Sequence, residues 1–132
     1  MYTCPLCAVN PSSHSLIKMA EKSGIVYFYT CPAKATEYEG IINHYEGVLS
    51  EITKKWVWIV DGKGFGLTHA MQINTAIELT KLISTKFKNL KKIIIINPTI
   101  YITMTHKIVM PFLDVNIEMN ESKTAEEVLE TL

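Results

Sequence analysis

The chain has 132 residues, 48% of them hydrophobic, and thirteen basic side chains balance thirteen acidic ones to a formal net charge of zero. That length expects one domain, 1–132, able to bury a core without a metal or disulfide staple. Every basic residue is lysine, so the forked donor that suits guanine and phosphate is missing, and nucleic acid is excluded as an expected partner.

The lead, 1–23, carries the CxxC of Cys4 and Cys7 and a short helical stretch around Ser15 to Lys22. It shows no basic head followed by an apolar run, and the charge-free stretch from Ile93 to His106 is short for a bilayer and broken by Asn97 and Pro98. These features predict a soluble, cytoplasmic chain. Three cysteines leave one unpaired in any disulfide scheme, so reduced thiols are expected.

After Gly24, IVYFY reads as a strand. ATEYEGIINHYEGVLSEI then spaces Tyr38, Ile41, Ile42, Tyr45, Val48, Leu49 and Ile52 as the stripe of an amphipathic helix. WVWIV is the next strand, and a helix is expected from about Thr68 to Phe87. KKIIIIN has the unbroken apolar character of a strand covered on both faces. A helical segment from Tyr101 to Leu113, a weaker strand NIEMN and a terminal helix TAEEVLETL complete the chain. This alternation predicts an α/β fold with a mostly parallel sheet of about four strands, helices packed on it and right-handed crossovers.

Chemistry-bearing motifs are sparse. Gly62, Gly64 and Gly66 form GxGxG after a strand, but a dinucleotide fingerprint needs GxGxxG with an acidic residue at the end of the next strand, and Lys63 lacks the Ser or Thr of a P-loop. A turn needing permissive backbone angles is the expected role. Cys4 and Cys7 lack the second ligand pair of a zinc site, and three residues leave no room for the strand that precedes a thioredoxin-type motif. His14, His44, His69 and His106 are scattered with no HExxH, GxSxG or paired carboxylates beside them. No metal, no cofactor and no enzyme activity are expected. Lys81, Lys86, Lys88, Lys91 and Lys92 gather near a helix end, where they suit a solvated terminus or anionic lipid headgroups.

WVWIVDGKG and IIIINPTIYITMTHKIVMPFLD together resemble the CRAL-TRIO lipid-binding family of phosphatidylinositol-transfer and tocopherol-transfer proteins. The matching residues are Asp61 and Gly64 of DxxG, then Ile95, Ile96 and Asn97, and then Pro111, Phe112, Leu113 and Asp114, in the family's order and covering about Gly24 to Leu132. The resemblance implies a CRAL-TRIO-like lobe that binds or transfers a small hydrophobic molecule or lipid in an apolar pocket between sheet and gate helix. Strand alternation puts Trp56, Trp58 and Val60 on one face, and the resemblance points that face at the ligand. Ile93 and Ile95 are expected to join them, with Tyr27 and Tyr29 from the first strand. The segment from Tyr101 to Phe112 is similar to the gate helix, with Ile102, His106 and Val109 closing the cavity.

Pro98 follows Asn97 directly, where the family usually has one residue between. Lys88 and Met110 stand where phosphoinositide-binding members carry an acidic residue and a lysine, so inositol headgroup recognition is not carried over. The helical lead-in of most members is missing from this sequence. The alternative expectation is a non-catalytic protein-interaction module with a closed pocket, pairing with a partner or as a homodimer. Transient contact with a membrane surface is the remaining partner expectation.

Overall fold

The computed structural model describes residues 17–31, 45–47, 49–50, 53–67, 73–86, 89–112, 115–120 and 123–130. Cys4, Cys7, His14, His44, His69, Lys88, Leu113 and Asp114 lie outside the described residues. Among the described residues the main elements follow in this order: β1 (Ile17–Lys22), β2 (Ile25–Thr30), β3 (Lys55–Asp61), α1 (Ile73–Lys86), β4 (Leu90–Ile96), α2 (Ile100–Val109), β5 (Asn116–Met119) and α3 (Ala125–Glu130). A 3-10 turn, Met110–Phe112, extends α2.

The strands form one sheet in chain order, β1-β2-β3-β4-β5. β2 to β5 are parallel, and β1 alone is antiparallel to its neighbour. This is the expected α/β architecture with a mostly parallel sheet. It has one strand more than expected because Ile17–Lys22 is a strand and not a helix. Ser23 and Gly24 both adopt positive φ, 53° and 77°, which closes a two-residue hairpin pairing Lys22 with Ile25. That backbone matches the twist of an antiparallel ribbon, and the turn decides the fate of the segment before it.

Buried side chains fill both faces of the sheet. On one, Val26, Phe28, Trp56, Trp58, Ile93 and Ile95 pack against Tyr45, Leu49 and Ile83. On the other, Tyr27, Val57, Ile59, Ile94 and Ile96 pack against Ala125 and Val128 of α3. KKIIIIN is therefore apolar without alternation because each face of β4 has its own cover. Tyr45 and Leu49 are helical, as the stripe predicts, and the rest of that stripe lies outside the described residues. Among the described residues no helix is long and apolar enough to cross a membrane.

Candidate functional site

The sheet's register decides which side chains share a surface. Val26, Phe28 and Thr30 of β2 pair with Trp56, Trp58 and Val60 of β3. Trp58 and Val60 pair in turn with Ile93 and Ile95 of β4. Trp56, Trp58, Ile93 and Ile95 thus belong to one buried cluster, and Val60 packs against it. Tyr27 and Tyr29 do not join them. They pair with Val57 and Ile59, one residue out of phase with the tryptophans, and therefore face α3. Strand alternation allows either parity for β2, and the parallel register selects the one that carries Phe28 instead of the tyrosines.

The tryptophan face is occupied by the chain itself. The two indole centroids lie 6.0 Å apart, Phe28 meets Trp56 edge-on at 5.7 Å, and Tyr45 meets Trp58 at 5.9 Å. Trp58 Nε1 donates to Thr30 Oγ1 at 2.8 Å, and the Tyr45 hydroxyl lies 3.3 Å from the same oxygen. A buried indole normally finds a partner for its N–H, and for Trp58 that partner is the last residue of β2. Thr30 and Tyr45 carry no motif signal; only the apolar stripe around Tyr45 pointed to burial.

At the carboxyl ends of β2, β3 and β4 a polar knot ties the strands together. Asp61 is buried. Its Oδ2 accepts the Tyr29 hydroxyl at 2.6 Å, and its Oδ1 accepts the Lys63 backbone N–H at 2.9 Å and Asn97 Nδ2 at 3.0 Å. Asn97, held at a positive φ of 47°, also donates to the Lys123 carbonyl at 2.8 Å and so reaches the loop before α3. Burial, and next the hydrogen bond to Asp61, push the Tyr29 hydroxyl's pKa well above its ordinary value. A raised folded-state value favours the protonated form in the native protein. The stabilisation is then complete below about pH 10 and declines as pH rises further. Tyr29→Phe is expected to weaken the alkaline loss of thermal stability, which melts across about pH 8 to 11 would record.

The glycine turn is consumed by the same knot. Gly62 N–H donates to the Ile96 carbonyl at 2.8 Å and Phe65 N–H to the Gly62 carbonyl at 3.0 Å. With Lys63 N–H on Asp61, these amides face protein acceptors and form no phosphate cradle. Gly64 has a φ of 80°, the left-handed conformation expected of such a turn. Gly62 meets a different demand, because a Cβ there would fall 2.7 Å from the Asn97 carbonyl oxygen and 3.1 Å from Ile102 Cγ2. Gly62→Ala is expected to destabilise the fold by about 1–3 kcal/mol, read as a lower midpoint in urea.

This close approach seats the start of α2. Thr99 caps the helix, its Oγ1 accepting from Ile102 N–H at 3.3 Å while donating to the Phe65 carbonyl at 2.8 Å. Ile102 is buried, and His106 and Val109 are half-buried along the same side of the helix. They form a stripe at helical spacing, as expected, but none of the three belongs to the buried cluster around the tryptophans. α2 lies beside α1, and the 3-10 turn after it brings Phe112 under Lys81 of α1, whose Nζ is 5.0 Å from the ring centroid. The opposite side of α2 exposes Ile100 (71%), Met104 (53%) and Ile108 (49%), spaced four residues apart. Two buried ring nitrogens, Trp56 Nε1 and His106 Nε2, have no hydrogen-bond partner among the described residues.

Among the described residues no three His, Cys, Asp or Glu side chains are placed to hold a metal ion. Cys31 is buried and unbridged, its Sγ 3.6 Å from the Lys63 carbonyl oxygen. The arrangement offers apolar surface, a hydrogen-bonded polar knot and a helix with two apolar sides.

No curated protein matches the chain. The divergent CRAL/TRIO domain matches residues 22–129, from the hairpin turn into α3 and so across the parallel sheet, the polar knot and α2. The chain belongs to the divergent CRAL/TRIO domain family.

Proposed function

We propose that this chain is a non-catalytic carrier that binds one small hydrophobic molecule or lipid against the inner side of α2. The observation that carries the reading is the helix itself: Ile102 is buried on one side while Ile100, Met104 and Ile108 are exposed on the other. A surface helix ordinarily carries one apolar side, whereas α2 carries two. A cover element has this character, because it needs an apolar neighbour beneath it and another above. Burying each exposed side chain would contribute about 1.5–3 kcal/mol.

The upper neighbour in this reading is a membrane, met transiently. Asn97 to Phe112 contains no acidic residue and carries Lys107, and Lys81 approaches from α1. Anionic headgroups suit that balance. Met104→Glu is expected to reduce cosedimentation with phosphatidylserine vesicles several-fold and to leave stability within about 0.5 kcal/mol, because the side chain is exposed. Uptake of fluorescent lipids, a neutral diacylglycerol and a phospholipid, from donor vesicles tests the carrier reading as a whole. Saturable uptake at one per chain supports it, and no uptake under any loading condition rejects it.

A second reading is favoured by the packed tryptophan face. If the fold persists with its interior closed by Tyr45, Leu49 and Ile83, the exposed ridge of α2 serves a protein partner or a second copy instead. Sedimentation equilibrium separates the two: self-association lost in Met104→Glu, without lipid uptake, favours the interaction module.

A further inference from the structure

Of the two buried ring nitrogens without a partner among the described residues, Trp56 Nε1 belongs to the packed cluster, its ring meeting those of Phe28 and Trp58. His106 Nε2 is placed differently. It is shielded from solvent on the half-buried side of α2, four residues after Ile102 and three before Val109, on the side where the proposed ligand lies. A buried polar atom left unpaired costs about 1–3 kcal/mol, and native proteins seldom carry one without a use. In the neutral imidazole, Nε2 either accepts a hydrogen bond from a hydroxyl or donates one to a carbonyl or ether oxygen, according to tautomer.

Resting on the carrier reading, we infer that His106 Nε2 is the polar anchor of the binding site, and that the ligand class is an amphiphile with one uncharged hydrogen-bonding oxygen at the end of an apolar body. Ile102 and Val109, on the same side of the helix as His106, are apolar. A charged headgroup fits poorly there, because one imidazole does not replace the hydration of a buried carboxylate or phosphate. An ordinary hydrogen bond to a neutral oxygen restores the missing partner without that loss.

The test compares 1-dodecanol, dodecane and dodecanoate, delivered from cyclodextrin to the intact chain and to His106→Leu. In the unsubstituted chain, saturation with 1-dodecanol should move the His106 Nε2 resonance in long-range nitrogen-15 imidazole spectra, identified by its loss in the variant. The affinity ratio of 1-dodecanol to dodecane should fall about 2- to 12-fold in His106→Leu, corresponding to one hydrogen bond of about 0.5–1.5 kcal/mol. An unchanged ratio, as expected if water alone satisfies the nitrogen, overturns the inference and leaves the carrier reading standing. So does an unmoved resonance, or dodecanoate binding more tightly than 1-dodecanol. Failure of all three probes to bind overturns the inference, and the carrier reading falls with it only if lipid uptake fails as well.

Discussion

Trp56→Ala is expected to cost about 3–5 kcal/mol of folding stability, the range for removing a large buried aromatic. The indole is fully buried where β2, β3 and β4 meet, against the edge of Phe28 and beside Trp58. Its own N–H has no partner among the described residues, so the loss is one of packing and transfer, with no hydrogen bond to subtract. Urea denaturation would measure it as a lower midpoint at unchanged slope. The deletion also leaves an apolar void, and such voids stay dry and accept small apolar guests. Recovery of stability on adding benzene would show that the tryptophans fill space a ligand could otherwise occupy. No recovery would show that the site collapses.

The second large effect is expected at Asp61. Asp61→Ala removes the acceptor for three donors from three places in the chain: the Tyr29 hydroxyl, the Lys63 N–H and Asn97 Nδ2. Each buried donor left unsatisfied costs about 1–3 kcal/mol, and because all three share one carboxylate their costs do not simply add. A loss of about 3 kcal/mol or more is expected, with faster amide exchange in Gly62 to Phe65 and at the start of α2. Asp61→Asn keeps one carbonyl oxygen for Lys63 and Asn97 and offers an amide that the Tyr29 oxygen can accept. It should lose clearly less. Equal losses in the two variants would mean that the charge, and not the hydrogen-bond pattern, holds the knot.

The parallel core was legible because its signals are long and redundant. WVWIVD, KKIIIIN and the helix between them carry period and length together, and Trp56, Trp58, Ile93 and Ile95 share a face as alternation requires. Tyr27 and Tyr29 were harder because alternation gives two parities, and only the register between β2 and β3 chooses one. The resemblance sets them beside the tryptophans, but the Tyr29 hydroxyl is used on Asp61 and Tyr27 packs on the α3 side. The segment before Gly24 was read as a helix because six residues are too few to separate the two periods, while the Ser23 and Gly24 turn held the deciding information. The polar knot was nearly invisible, since Asp61 and Asn97 are 36 residues apart and become neighbours only when β3 and β4 pair. Asp61 and Asn97 stood out only as family motif positions, which gave no hint of what they touch.

Native mass spectrometry of the chain before and after organic extraction would show whether α2 covers a hydrophobic ligand. A single added mass per chain is expected before extraction, lost afterwards and restored by a hydrophobic ligand with one neutral oxygen. A chain that carries no added mass, and gains none when such ligands are supplied, would contradict it.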